Sequence, residues 1–340
     1  MTRKAKFNGP FTKRSFAVLS SGALLALTAC GDSGAAGDDH PEPDVSLTVG
    51  VAPDFFYSHY YFAVREGFLA AEGIDASLTE FPSGREASEA IVAGQADVTG
   101  TTSSTLTVLA ESENDLVAIA SEQRGDGWYG IVTNGDVDVS DVSDLEGLNI
   151  GTEHRTVLDQ NVRAFLESQD VGVDEIDYSD VNLAQLLTGL TRGDYEAASM
   201  WEPNVSSALA NIDGAEVVLN SDEVMPAIGY MAVSPQVHED EDVAHRLLTA
   251  MDNTVEWMAD NPDAVMDHVM ETSGIDDEEV AQAVQDKITY EVAFSDEAVG
   301  DLYESRDFHI EQEIVGEVTD EQMAEIYETE LFESWVAEQN

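Results

Sequence analysis

Residues 45–81 read VSLTVGVAPDFFYSHYYFAVREGFLAAEGIDASLTEF. Residues 45–52 alternate and are rich in β-branched side chains, the pattern of a buried strand. Tyr57, Tyr61, Val64 and Phe68 then fall at spacings of 4, 3 and 4, one face of a helix. Gly73 suits the end of that helix, and residues 74–81 form the next strand. Strands that alternate with helices in this way build a parallel or mixed sheet in an α/β lobe.

The alternation continues downstream. Pro82-Ser83-Gly84-Arg85-Glu86 turns into a helix over 86–93, and residues 96–100 are a short strand. Thr102-Ser103-Ser104 supplies the hydroxyls of an N-cap before Leu106, Val108 and Leu109. Residues 116–121 are another strand. A second set begins near Val142, with strands over 148–151, 176–181, 195–200 and 217–219 and helices over 156–168, 183–192 and 205–211. Two apolar stretches, 127–133 and 227–233, separate and follow the sets and suit strands that cross between two lobes. The rest reads as mostly helical, over 243–260, 262–272, 276–287, 296–304 and 320–328.

Upstream, residues 1–30 read as an export signal. A basic stretch ends at Lys13-Arg14, and the apolar run over 16–29 is shorter than the roughly 20 residues a permanent membrane helix needs. It closes on Leu27-Thr28-Ala29-Cys30-Gly31, which resembles a bacterial lipobox whose cysteine is acylated and becomes the mature N-terminus. A buried free Cys30 behind an ordinary signal is the alternative. Thr12-Lys13-Arg14-Ser15-Phe16 resembles a twin-arginine signal with lysine in the first basic place, so that route and the general route both stay open. Residues 31–44 carry no apolar periodicity and read as a flexible tether.

Composition narrows the function. The chain of 340 residues has 69 Asp and Glu against 14 Lys and Arg, a net charge of −55. Beyond residue 44 only nine bases remain, and Lys287 is the one lysine among them. Nucleic-acid binding needs cations on the surface, so it is excluded. A surface so evenly acidic repels itself at low salt and is relieved by screening, as in an extracytoplasmic protein of a salt-loving organism. With one cysteine, an intrachain disulfide and a zinc site with two or more thiolates are both impossible.

Four phrases carry a family resemblance. Arg65 to Ala76 resembles a helix end of the form x-x-G-h-h-x-x-x-G-h-x-h before a strand. Ala93-Gly94-Gln95-Ala96-Asp97-Val98 resembles a following turn, and Asp144-Leu145-Glu146-Gly147-Leu148 the start of a second lobe. Trp201-Glu202-Pro203 matches a W-E-P segment. Together, over about 45–290, they resemble the sulfonate, taurine, nitrate and thiamine-pyrimidine group of ABC-transporter solute-binding proteins. The resemblance implies an α/β, two-lobed periplasmic-binding-protein type II (Venus flytrap) fold with two crossover strands. Lobe 1 would be 45–130 plus 230–340 and lobe 2 131–229. It implies a monomer that binds a small molecule, hands it to a membrane permease, and has neither catalysis nor cofactor. The acid loading is not a feature of the family.

Ligands of open α/β sheets lie beyond the carboxyl ends of strands, which selects five loops. In the first, Asp54, Phe55, Phe56 and His59 are candidates for a cleft wall; core packing is the alternative, and the one favoured for Tyr61. In the second, Ser83, Gly84 and Arg85 offer backbone N–H groups and a guanidinium to an anion, or Arg85 is a surface cation paired with an acid. Thr102, Ser103 and Ser104 hold an oxyanion or serve as a plain N-cap. Thr152, His154, Arg155 and Thr156 combine hydroxyls, helix N–H groups and a scarce base. Trp201 would cover the ligand or pack the hinge, and Glu202 would accept from an amine.

No metal-binding histidine pair, Walker loop, dinucleotide fingerprint or nucleophile elbow occurs, so no metal site is expected. The leading expectation is capture of a sulfonate, taurine or nitrate. A thiamine-pyrimidine precursor or other heteroaromatic is the alternative ligand, and a pyrimidine-synthesis enzyme or a sensory or adhesion lipoprotein the alternative role.

Overall fold

The computed structural model describes residues 42–112, 116–125, 127–137, 139, 142–145, 147–154, 156–173, 176–220, 227–273 and 275–339. The export signal, Cys30, nearly all of the tether and Arg155 lie outside the described residues.

Eleven strands are described: β1 Val45–Val51, β2 Ile74–Glu80, β3 Val98–Thr102, β4 Val117–Gly125, β5 Tyr129–Thr133, β6 Asn149–Thr152, β7 Asp177–Asp180, β8 Ala197–Trp201, β9 Val217–Asn220, β10 Ala227–Val233 and β11 Ile288–Ala293. They form a six-stranded sheet in the order β11-β4-β10-β3-β1-β2 and a five-stranded sheet in the order β7-β6-β8-β5-β9. β1 runs parallel to β2 and β3, and β6 parallel to β7 and β8. β10 is antiparallel to both β3 and β4, and β5 to both β8 and β9. The chain passes to the second sheet between Gly125 and Tyr129 and returns between Asn220 and Ala227. The two apolar stretches singled out in the sequence therefore flank the crossings, each lying in one sheet.

The six-stranded sheet is covered on both faces, which is why β10 is apolar throughout. Met231 and Val233 pack with Leu47, Val49, Leu247, Leu248 and Met251 on one side. Tyr230 and Ala232 pack with Leu106, Ala298 and Leu302 on the other. The second sheet has its own core of Ile131, Ile150, Val162, Phe165 and Leu166. A further cluster joins the two: Phe55 and Phe62 from the first sheet's side meet Trp128, Val157, Leu186 and Val205 of the second, with Met258, Val265 and Val284 from C-terminal helices. All of this belongs to one compact unit.

Two C-terminal elements depart from the sequence reading. β11 occupies residues to which no element was assigned, and the segment Thr329–Gln339, likewise unassigned, is a helix. The helix expected over 296–304 continues to Glu311, and this extension reaches the second lobe.

Candidate functional site

The three parallel strands of the first lobe each deliver a loop. After β1, the Asp54 carboxylate accepts from Phe56 N at 3.0 Å and caps the tight turn Phe55–Tyr57. Burial pushes the Asp54 carboxyl up to about 6. The turn sends its aromatics in different directions. Phe55 is fully buried, edge-on to Trp128 at 5.0 Å, with its carbonyl accepting from Tyr290 Oη at 2.6 Å. Tyr57 is buried and donates to Gly100 O at 3.2 Å. Phe56 is half-buried and lines a crevice with Gln123, Trp128, Tyr129, Ala227 and Ile288. His59 turns inward, with Nε2 3.2 Å from Glu122 Oε2.

Ser83 caps the helix Gly84–Val92 by accepting from Glu86 N at 3.3 Å. Gly84 sits against Tyr57, and any Cβ there would overlap the tyrosine hydroxyl. Arg85 is exposed and paired with Glu89 at 3.0 Å. Thr102 caps the helix Ser103–Ala110 by accepting from Thr105 N at 3.3 Å. Ser103 and Ser104 are buried: Ser103 hydrogen-bonds Asp301, and Ser104 Oγ lies 3.2 Å from His309 Nε2. Burial lifts the Asp301 carboxyl to about 6 although it accepts from Tyr230 Oη at 2.7 Å.

In the second lobe, the Thr152 hydroxyl is fully buried with no hydrogen-bond partner. His154 N donates to Asp180 Oδ1 at 3.0 Å, and Thr156 caps the helix Val157–Ser168 by accepting from Leu158 N at 3.2 Å. Trp201 is half-buried at the end of β8, opposite Tyr129. Glu202 is fully buried and precedes a cis proline, Pro203. Its carboxylate accepts from Ser206 N and Ser206 Oγ, each at 3.0 Å, and from the Lys287 ammonium. Glu202 is thus occupied by the protein itself, and the lone lysine of the folded part ties the second lobe to the segment before β11.

The two lobes meet across these loops. The Glu153 carboxyl, raised mainly by burial, also feels Arg85 and Glu86 of the opposite lobe. The helix Asp296–Glu311 reaches over: Ser305 Oγ donates to Gln160 Oε1 at 3.3 Å, and just beyond it Gln312 Oε1 accepts from Arg163 at 3.1 Å.

Several groups here escaped the sequence reading. Glu122 and Gln123, at 0% and 2% exposure, are adjacent near the end of β4, and Gln123 lines the crevice beside Phe56. Glu122 Oε1 and both side-chain polar atoms of Gln123 have no hydrogen-bond partner, whereas Glu122 Oε2 accepts from Tyr60 Oη. Burial drives the Tyr129 phenol far above its usual range, and Asp301 and Asp54 push it further. The available signal was the polar run Ser121-Glu122-Gln123 directly after the apolar run 116–120.

The NMT1/THI5-like family model matches residues 55–265. No curated protein sequence matches. Among solved structures, the periplasmic aliphatic sulphonate binding protein SsuA of Escherichia coli is 18% identical, with TM-score 0.74 over 82% of this chain and 96% of that one. The alkanesulfonate-binding protein SsuA of Xanthomonas axonopodis pv. citri, bound to MOPS, is 14% identical, with TM-score 0.72 over 85% and 99%. A Candida albicans gene product described as having the generic periplasmic binding protein fold is 14% identical, with TM-score 0.67 over 84% and 96%. The chain belongs to the NMT1/THI5-like family and has the two-lobed periplasmic-binding-protein fold.

Proposed function

We propose that this protein is the extracytoplasmic solute-binding component of an ABC importer, and that it captures a small nitrogen heteroaromatic such as a thiamine-pyrimidine precursor between its lobes. The observation that carries the ligand class is the state of the charges. Each described Lys and Arg is already paired with a carboxylate, Arg85 with Glu89 and Lys287 with Glu202 among them. Beside the aromatic rings of the crevice lie instead the Gln123 amide, which lines it, and the buried Glu122 carboxylate oxygen next to it, all without partners. Such a surface suits a flat ring with N–H donors and ring acceptors, and it repels a bare anion.

A second reading keeps the sulfonate class. The unpartnered Thr152 hydroxyl, at the strand end that feeds the helix Val157–Ser168, supports it, as do the sulfonate-binding proteins of the same fold. Calorimetry at molar salt with a hydroxymethylpyrimidine, taurine, an alkanesulfonate and nitrate separates the two. Heat from the pyrimidine alone is the expected result; heat from taurine or the alkanesulfonate alone gives the site to the anion.

The role is binding and not catalysis, since an export signal removes the chain from cytoplasmic pyrimidine synthesis. The protein acts as a lipid-anchored monomer held by Cys30 at the outer face of the cell membrane. Among the described residues, no helix is long and apolar enough to cross a membrane. Cys30→Ala abolishes labelling by radioactive palmitate; a labelled variant removes the anchor. Permease and ATPase genes beside this one are expected for an importer, and a sensory or adhesion lipoprotein would lack them.

A further inference from the structure

Phe56 rests on two glycines of neighbouring strands, Gly100 in β3 and Gly229 in β10. A Cβ on Gly100 would lie 3.0 Å from Phe56 Cε1, and one on Gly229 would lie 3.0 Å from Phe56 Cζ. The ring therefore lies on bare backbone, a flat platform that any other residue at either position would roughen. Glu122 borders the platform at Gly100 and Gln123 at Gly229.

The chemistry around the ring does not match the ring. Glu122 Oε1, Gln123 Oε1 and Gln123 Nε2 are buried without hydrogen-bond partners. A phenyl group offers neither donor nor acceptor, so it leaves all three unmade, and unmade buried hydrogen bonds are costly. The crevice beside Phe56 has a volume of about 10 Å³, room for one water at most. The other half of Glu122 is fixed: Tyr60 Oη donates to Oε2, and His59 Nε2 lies 3.2 Å from it. A carboxylate is thus fixed with one unpartnered oxygen beside Gly100, the glycine on which the Phe56 ring rests. In the same turn Phe55 and Tyr57 are locked in the core, while Phe56 is only half-buried and is the ring able to swing out.

We propose that Phe56 is an intramolecular plug, whose ring occupies the glycine platform that the ring of a bound heteroaromatic takes. This deepens, and rests on, the heteroaromatic reading given above. Phe56 acts as a specificity filter. A hydrocarbon ring offers Glu122 and Gln123 no more than Phe56 does, so it gains nothing by displacing it. A ring with two N–H donors and one acceptor on its edge satisfies all three atoms and displaces it.

The test is calorimetry at molar salt with 4-aminopyrimidine on the wild-type protein, Phe56→Ala and Phe56→Leu, each first shown to melt cooperatively. Removing the plug should tighten binding by about tenfold or more, the gain expected when the unplugged form makes up roughly a tenth or less of the free protein. Phe56→Leu keeps an apolar side chain on the turn and serves if the alanine chain does not fold. Wild-type binding that weakens or stays level in the variants overturns the plug and makes Phe56 a stacking partner, with the heteroaromatic reading intact. Binding by none of the three proteins overturns the heteroaromatic reading and the plug together.

Discussion

Replacing His309 with glutamine should reshape the acid limb of stability. His309 lies fully buried on the helix Asp296–Glu311, with Nε2 3.2 Å from Ser104 Oγ. Burial lowers its pKa from 6.5 to about 4, although Asp159 pulls the other way. As the pH falls below 6.5 the unfolded chain takes up a proton that the folded chain refuses until about 4. The contribution of His309 to stability is therefore complete above 6.5 and drains away as the pH drops toward 4. At about pH 4.5 the loss amounts to about 2.5 kcal/mol, from 1.36 kcal/mol per unit of separation. Asp54 and Asp301 oppose this trend. Their carboxyls are raised to about 6, so they protonate first in the folded state and add stability as the pH falls from there toward 3.8. The wild-type curve mixes both effects, so the difference between wild type and His309→Gln is the quantity to measure. Denaturant unfolding in molar salt at about pH 7.5 and about pH 4.5 gives it. The variant should gain on the wild type by about 2.5 kcal/mol on acidification. A difference that moves by less than about 1 kcal/mol would show that His309 is not held neutral by burial.

Three other outcomes follow from the same structure. Lys287→Met strands the buried Glu202 carboxylate and should cost about 3–5 kcal/mol in denaturant unfolding, with much of the loss recovered in the double variant Lys287→Met/Glu202→Gln; no recovery would rule out the pair as the cause. Gly84→Ala drives a methyl into the Tyr57 hydroxyl and disturbs its bond to Gly100 O, so thermal unfolding should reveal a loss of about 1–3 kcal/mol; an unchanged melting temperature would contradict the close approach. The melting temperature should climb steeply as salt is raised from low to molar, because screening relieves a net charge of −55; a flat curve would refute the self-repulsion argument.

The fold was legible wherever local pattern decides it. The alternation of 45–52 and the wholly apolar 227–233 each give their element, because both faces of the central strands are covered. The helical stripe from Tyr57 to Phe68 gives a helix only over Ser58–Arg65; Gly67, in the left-handed conformation, breaks it, and a separate short helix Phe68–Ala71 follows. β11 was not legible. It is short, half-buried, and pairs with β4 through Tyr290 and Gln123, residues far apart in sequence. The site divides in the same way. Thr102 was visible as a cap residue, since capping is a local event, whereas Ser83 and Thr156, read only as helix-start positions, cap their helices in the structure. Phe55 and Phe56 are adjacent and chemically alike, yet one is core and the other lines the crevice, a difference set by Trp128 and Gly229 across the molecule. Glu122 looked like one acid among 69. Only its burial against His59 and Tyr60 distinguishes it.

The position of β4 constrains how the molecule can be made. Both of its neighbours, β10 and β11, come later in the chain, after the five strands of the other sheet. A nascent chain thus carries β4 with two bare edges until residues 227–233 arrive. Loop-closure entropy lets the segment from 129 to 220 assemble first and makes the earlier segment wait. Waiting strand edges are sites for mispairing between chains. Dense negative charge on every copy holds those chains apart during the delay.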